Sequence, residues 1–288
     1  VSEMKDKTTA MGVKPKKRFG QNFLSDRNIL NKIIDAAKID KETDVIEIGP
    51  GTGNLTELLA KKAGRVVAYE IDSTLIPILK ERLKSLDNIT IMNKDILEID
   101  IDKEIDEHFP DSKKIMAIAN LPYYITTPIL MKFLKTSDKV TRLIFMMQLE
   151  VAKRLSAGPG GKDYGALSVI MAYRTKTEIR FKVPRTVFVP APNVDSAVVD
   201  IEIRNKPPFI VKDDSFFYDF IHKMFAYRRK TLSNNLATAY PENNKTETDS
   251  LITKANLAPG VRAEALSPEE FGRLSDIVWD ALGKSKTA

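Results

Sequence analysis

Residues 44–64 read DVIEIGPGTGNLTELLAKKAG: a short apolar run, glycines at 49, 51 and 53, then Leu55, Leu58 and Leu59 at helical spacing. An apolar run too short for a helix, broken by glycines and followed at once by a helical period, predicts a strand, a tight turn and a helix. Gly64 is expected to cap that helix. The alternation continues, with strands expected at RVVAYEID, NITIMNKD, KIMAIAN and RLIFMMQ and helices at STLIPILKERLKSL and TPILMKFLK. Ahead of it, DRNILNKIIDAAKI puts Ile29, Ile33, Ile34 and Ala37 on one helical face. Strands alternating with helices of this length form a mostly parallel sheet covered on both faces, so the expected class is α/β.

Farther on, LEVAKRLSAG reads as a helix, PGGKDYG as a loop and ALSVIMAYR as a helix or buried segment. TEIRFKVP and SAVVDIEIR read as two strands that complete the sheet as an antiparallel edge pair, joined by the proline-rich PRTVFVPAPNVD. From NKPPF onward only helical patterns remain. Phe216, Phe220 and Met224 recur at i, i+4 and i+8 and are expected in a core, and Ser267, Pro268 and Glu270 open a last helix as a capping box. The expected division is a basic mobile tail over 1–18, a sheet domain over 19–205 and a small all-helical domain over 206–288.

The chain has 288 residues and 43% hydrophobic content, enough for a full core in a large domain plus a smaller one. It contains no cysteine and only two histidines, His108 and His222, so disulfides, a thiolate nucleophile, a metal centre and a Ser-His-Asp triad are not expected. No apolar run approaches the roughly 18 residues of a membrane span, and no signal-peptide core is visible. A soluble, cytoplasmic protein is the expectation. The formal charge of +6 is clustered: residues 1–20 carry six Lys/Arg against two acids, 174–185 five against one and 206–240 six against three. Clustering of this kind points to a polyanionic partner such as nucleic acid.

The glycines sit where a ligand would approach a helix N-terminus, the arrangement of a Rossmann-like site. Their G-x-G-x-G spacing departs from the G-x-G-x-x-G that cradles a pyrophosphate, which argues against a dinucleotide. Glu70 ends the second strand, where a carboxylate can accept both hydroxyls of a ribose, and Asp95 follows the third. Either acid alone reads as a turn or capping residue. Together with the glycine turn they fit an adenosine-containing ligand without a pyrophosphate, S-adenosylmethionine, with its ribose at Glu70 and its adenine amine near Asp95. Ile71 and Ile96, the next residues, are expected in the same site.

QNFL at 21–24, EIGPGTGNLT, YEID, NKDIL, ANLPYYITTPIL, FVPAPNVDSAV and FAYRRKTLSNNL occur in order over about residues 18–240. Together they resemble the ribosomal RNA adenine N6,N6-dimethyltransferase family. The resemblance implies a class I S-adenosylmethionine-dependent methyltransferase fold with a small helical C-terminal domain, and dimethylation of two adjacent adenosines near the 3′ end of small-subunit ribosomal RNA. It also implies that Asn22 and Leu24 contact the cofactor, and it supports Phe188 as a ring stacking on the base. A pre-30S particle is the expected substrate and a monomer the expected state.

The chemistry of ANLPYY can be argued from the residues. An adenine exocyclic amine is a poor nucleophile because its lone pair is delocalised into the ring. Acceptors on both N–H bonds draw it toward tetrahedral geometry, and the Asn120 amide oxygen and Leu121 carbonyl suit this, with Pro122 fixing φ and offering no competing N–H. Tyr123 supplies a ring face, and Phe188, on its proline-rich loop, is the candidate second ring, with a core phenylalanine as the competing reading. Tyr124 is expected to pack. Arg228, Arg229 and Lys230, with Lys16, Lys17 and Arg18 in the tail, are candidate RNA contacts, or else solvated faces. The alternatives weighed are an erythromycin-resistance type methyltransferase of large-subunit RNA, a DNA or protein amide methyltransferase of N-P-P-Y type, and an RNA-binding assembly factor without activity.

Overall fold

A computed structural model describes residues 15–283. In chain order the regular elements are β1 (Phe23–Leu24), α1 (Arg27–Ala37), β2 (Asp44–Ile48), α2 (Asn54–Lys62), β3 (Val66–Tyr69), α3 (Ile76–Leu83), β4 (Ile89–Met92), α4 (Ile101–His108), β5 (Ile115–Asn120), α5 (Thr126–Thr136), β6 (Val140–Gln148), α6 (Leu149–Leu155), α7 (Ala166–Arg174), β7 (Thr175–Val183), β8 (Phe188–Val189), β9 (Ser196–Ile203), α8 (Asp214–Met224), α9 (Leu232–Ala239), α10 (Lys245–Lys254) and α11 (Pro268–Ala281). They sort into two compact units, residues 15–152 with 177–203 and residues 153–176 with 204–283.

The first unit is built on a seven-stranded sheet of order β4-β3-β2-β5-β6-β9-β7. From β4 to β6 the neighbours are parallel, and β9 runs antiparallel to β6. The strands β2, β3, β5 and β6 are almost continuously apolar and buried because helices cover both faces of a parallel sheet. Ile33, Ile34 and Ala37 of α1, with Leu55 and Leu59 of α2, share one core with Val45, Val66, Ile118 and Val198. Arg142 of β6 ties this layer together. Its guanidinium meets Asp200 of β9 at 2.7 and 2.5 Å and donates to the carbonyls of Ala36 and Ala37, closing the C-terminal end of α1. Register then sets up the site: Ile48 lies level with Tyr69 and with Ala119, and Tyr69 with Met92. The residues that follow, Gly49, Glu70 and Asn120, therefore emerge side by side at one sheet edge.

The second unit is helical. Phe217, Phe220 and Phe271 are fully buried, and the Tyr173 ring meets Phe217 edge-on at 5.0 Å. Phe216, Phe220 and Met224 are core residues, and Ser267 and Glu270 form the expected capping box.

Two expectations need correction, the domain bounds and the Gly64 cap, and two elements were not expected. Residues 153–176 group with the C-terminal unit, and the chain passes into that unit again at 203/204, so 19–205 is not one compact body. Helix α4 is absent from the sequence reading because IDKEIDEH offers only Ile101 and Ile105 as buried positions. The two-residue ladder β1–β8, pairing Phe23 with Val189 and Leu24 with Phe188, is too short to show a period. Gly64 is not a left-handed cap: α2 ends on Ala63 in extended conformation, and Gly64 is needed because a Cβ there would lie 2.7 Å from the Lys41 carbonyl.

Candidate active site

The turn after β2 has φ of 66° at Gly49 and 58° at Gly51, values that L side chains rarely adopt. This turn brings the Gly51 N–H to Glu70 Oε2 at 3.1 Å, while the Asp72 N–H donates to Oε1 at 2.8 Å. Each oxygen keeps a further lone pair for a ligand hydroxyl. Burial raises the Glu70 carboxyl above its ordinary range, opposed by these two N–H donors. Asp95 accepts the Leu97 N–H on one oxygen at 2.8 Å. Ile96 is buried, whereas Ile71 is 46% exposed, an apolar side chain bare beside the Glu70 carboxylate. Gly53 departs from expectation. It does not line the cavity; it precedes α2, and a Cβ there would come within 3.0 Å of Leu79.

These groups surround a cavity of about 200 Å³ that also takes in Asn22, Leu24, Asn120, Leu121, Pro122, Tyr123 and Phe188. The Asn120 Nδ2 donates to the Asn22 carbonyl at 3.1 Å, and Asn22 Nδ2 donates to the Gly20 carbonyl at 3.1 Å. This orients the Asn120 amide. The Leu121 N–H is taken by the Met146 carbonyl at 3.1 Å, and the Pro122 carbonyl accepts from the Ile125 N–H and the Thr126 hydroxyl, both at 3.2 Å. Among the described residues, neither Asn120 Oδ1 nor the Leu121 carbonyl accepts a hydrogen bond. Two acceptors are thus left at adjacent positions on the wall.

Tyr123 is held by its hydroxyl, 2.8 Å from the buried Ser196 Oγ on β9. Phe188 belongs to the hydrophobic core, the competing reading of this ring, and at 3% exposure it also borders the cavity. Tyr124 does not pack inside: it is 58% exposed on the rim, its ring against Gly20, where a Cβ would meet it at 3.1 Å.

The basic candidates fare unequally. Residues 1–14 of the expected tail lie outside the described residues, as does the Lys17 side chain. Lys16 is not a free tail cation, because its ammonium bonds Asp72 Oδ1 and Thr74 Oγ1, each at 2.7 Å. Burial works to raise the Asp72 carboxyl, but hydrogen bonds from Lys16, Thr74 and Gln21 outweigh it and hold it down to about 2. Arg18 is exposed and lies over the Phe19 ring at 4.6 Å. In the helical unit, Arg228 donates to the Lys162 carbonyl at 3.0 Å and faces Glu264 at 3.7 Å, a role within its own unit. Arg229 and Lys230 are exposed, the latter 4.5 Å over the Tyr227 ring.

One wall residue escaped the sequence reading. Glu47 lies in β2, 1% exposed, and among the described residues its Oε2 has no hydrogen-bond partner. Burial pushes its carboxyl up to about 8, and the Glu70 charge adds to it. The signal was there, a carboxylate set between Ile46 and Ile48 within the strand DVIEI.

A glycine turn, a buried acid and a bare apolar side chain at the edge of a mostly parallel sheet define a class I, Rossmann-like, S-adenosylmethionine-dependent methyltransferase. The residues fit that cofactor: spare acceptor positions on Glu70, an apolar Ile71 left uncovered, and an unpaired carboxyl at Glu47 that suits a cationic ligand. The family described as Ribosomal RNA adenine dimethylase matches residues 12–279. "Ribosomal RNA small subunit methyltransferase A" of Lactococcus lactis subsp. lactis is 48% identical over 261 residues, 91% of this chain and 89% of that protein. The protein of the same name from Bacillus pumilus is 47% identical over 269 residues, 93% and 92% of the two chains. Among solved structures, a dimethyladenosine transferase from Plasmodium falciparum superposes with a TM-score of 0.74 at 25% identity, covering 91% of this chain and 98% of that one. The 23S rRNA methyltransferase ErmE gives 0.67 at 27%, covering 89% and 99%. The chain belongs to the ribosomal RNA adenine dimethylase family and is an S-adenosylmethionine-dependent ribosomal RNA adenine dimethyltransferase. No helix among the described residues is long and apolar enough to cross a membrane.

Proposed function

We propose that the chain dimethylates N6 of two adjacent adenosines near the 3′ end of small-subunit ribosomal RNA, acting as a cytoplasmic monomer on a partly assembled pre-30S particle. The observation that carries the base chemistry is the pair of unoccupied acceptors, Asn120 Oδ1 and the Leu121 carbonyl, beside the Tyr123 ring. The choice of the small subunit is supported by relatives at 47–48% identity that bear that name, against 27% for the large-subunit enzyme.

When bound, S-adenosylmethionine supplies an electrophilic methyl group. Glu70 accepts the ribose hydroxyls, Asp95 the adenine amine, Ile71 and Ile96 cover the adenine, and Asn22, Leu24, Gly49 and Gly51 line the rest. On the acceptor side, Asn120 and Leu121 each take one N–H of the target amine and localise its lone pair. Holding that amine in line supplies most of the acceleration. No strong general base is required, because the nitrogen becomes acidic as it gains a carbon and its proton leaves to solvent.

Extruding a base costs a few kcal/mol, and each aromatic face returns about 1–3 kcal/mol, so Tyr123 alone barely balances the cost. Phe188 supplies the second face. Phe188→Leu, which keeps core volume but loses the flat ring, is expected to raise KM for RNA about tenfold while cofactor Kd stays within about twofold. Steady-state kinetics with calorimetry decide this, and unchanged RNA kinetics would return Phe188 to the core alone. Arg229 and Lys230, with the helical unit that carries them and with Lys17 and Arg18, are assigned to RNA phosphates.

The test of the whole reading is to incubate the protein with labelled S-adenosylmethionine and separated ribosomal subunits, naked small-subunit RNA and pre-30S particles, then map the labelled base. Label on two neighbouring adenosines near the 3′ end of small-subunit RNA, strongest in the particle, is expected. Label on large-subunit RNA would overturn the assignment.

A further inference from the structure

The Glu47 carboxyl sits in the wall of the cofactor cavity with one oxygen unpaired and no cation to meet it. The charged and titratable groups around it can be named. From the end of β3 comes Glu70, another acid; β5 and α2 offer the neutral Asn120 and Thr56. The remaining titratable groups on the wall are Asp95, Tyr69, Tyr123, Tyr124 and Lys94, and the ammonium of Lys94 is engaged by Glu104 at 2.5 Å. Among the described residues no arginine or histidine lines the cavity.

A buried carboxyl in such surroundings has two tolerable states. It is neutral, or it is ionised beside a cation brought by the ligand. We infer that Glu47 answers to the sulfonium of the methyl donor rather than to the α-ammonium that donor and product share, giving up its proton when a sulfonium ligand fills the cavity and regaining one when the charge on sulfur is lost. The inference rests on the cofactor assignment above. Its balance is simple. The carboxyl proton goes to solvent on donor binding; methyl transfer then breaks the S–CH3 bond, leaves its electron pair on sulfur and frees one proton from the accepting nitrogen; the carboxylate regains one proton from solvent. Donor affinity therefore rises with pH while product affinity does not, and at the pH where the free carboxyl ionises the spent cofactor is the weaker ligand.

The test is titration calorimetry of the full chain at pH 7 in phosphate and in Tris, whose different ionisation enthalpies report protons exchanged. Three ligands are compared: S-adenosylmethionine, S-adenosylhomocysteine, and sinefungin, in which an amine stands where the sulfonium does. The two cationic ligands are expected to release up to roughly one proton more than the sulfide, and Glu47→Gln to abolish that difference. Difference infrared spectra should show the protonated carboxyl C=O band disappearing with the donor and persisting with S-adenosylhomocysteine. That measurement and the wild-type calorimetry stand even if the variant does not fold. Equal proton counts for donor and sulfide, or a difference that survives in Glu47→Gln, would overturn the inference. Absence of donor binding altogether would instead count against the cofactor assignment, so the two failures are distinguishable.

Discussion

Asn120→Ala is expected to slow methyl transfer at least about a hundredfold, while cofactor affinity changes by no more than about threefold. Removing one preorganised group from a reacting centre commonly costs about 2.7–4 kcal/mol, and here the amine would lose one of its two acceptors. The orientation of the amide gives the argument its weight. Because Asn120 Nδ2 is committed to the Asn22 carbonyl, the amide oxygen is the part left for the base. Asn120→Asp is a useful companion, since it keeps an acceptor but sets an anionic oxygen against the Asn22 carbonyl, so partial activity falling as pH rises is expected. Single-turnover methylation of small-subunit RNA, with cofactor Kd measured separately, checks both. Near-normal turnover in Asn120→Ala would sink the two-acceptor mechanism.

The second large effect concerns the cofactor-free protein. With its carboxyl pushed up to about 8 from an ordinary 4.5, folded Glu47 keeps a proton that the unfolded chain has already lost over that window. The folded state binds the extra proton, so stability falls as pH rises from about 4.5 to about 8 and levels off above it. The total loss is about 5 kcal/mol from this group, and Glu47→Gln should flatten that part of the profile. Asp72, held down to about 2, acts in the opposite direction and at lower pH: its contribution is complete above the ordinary carboxylate value and lost as pH falls through about 2. The two windows do not overlap. Urea denaturation of both proteins at several values between pH 5 and 8.5 provides the measurement, and parallel profiles would remove Glu47 as the cause.

Most of the α/β frame was legible because its evidence is local. Short apolar strands, glycines between strand and helix, and leucines at helical spacing each follow from a few neighbouring residues. Every strand of the large sheet falls where a strand was expected, and Asn22, Gly49, Glu70, Asp95, Asn120 and Phe188 all line one cavity. What failed was what depends on a partner distant in the chain. The β1–β8 ladder joins residues more than 160 apart and has no period of its own. Lys16 looked like a tail cation until Asp72, on the far side of the glycine turn, was seen to hold it. Glu47 looked like one more strand residue, and Tyr124 like packing.

Fold class, the glycine turn, the acids at the strand ends and the acceptor motif were determined by the sequence alone, since each is written in contiguous residues whose conformation local sterics dictate. The tertiary structure alone decided which hydrogen-bonding groups remain unused. Asn120 Oδ1 is available because Asn22 takes the other end of the amide, Tyr123 faces the cavity because Ser196 holds its hydroxyl, and Glu47 is unpaired because no cation reaches it. Availability of a polar atom is set by everything packed around it, and only folding brings those neighbours together.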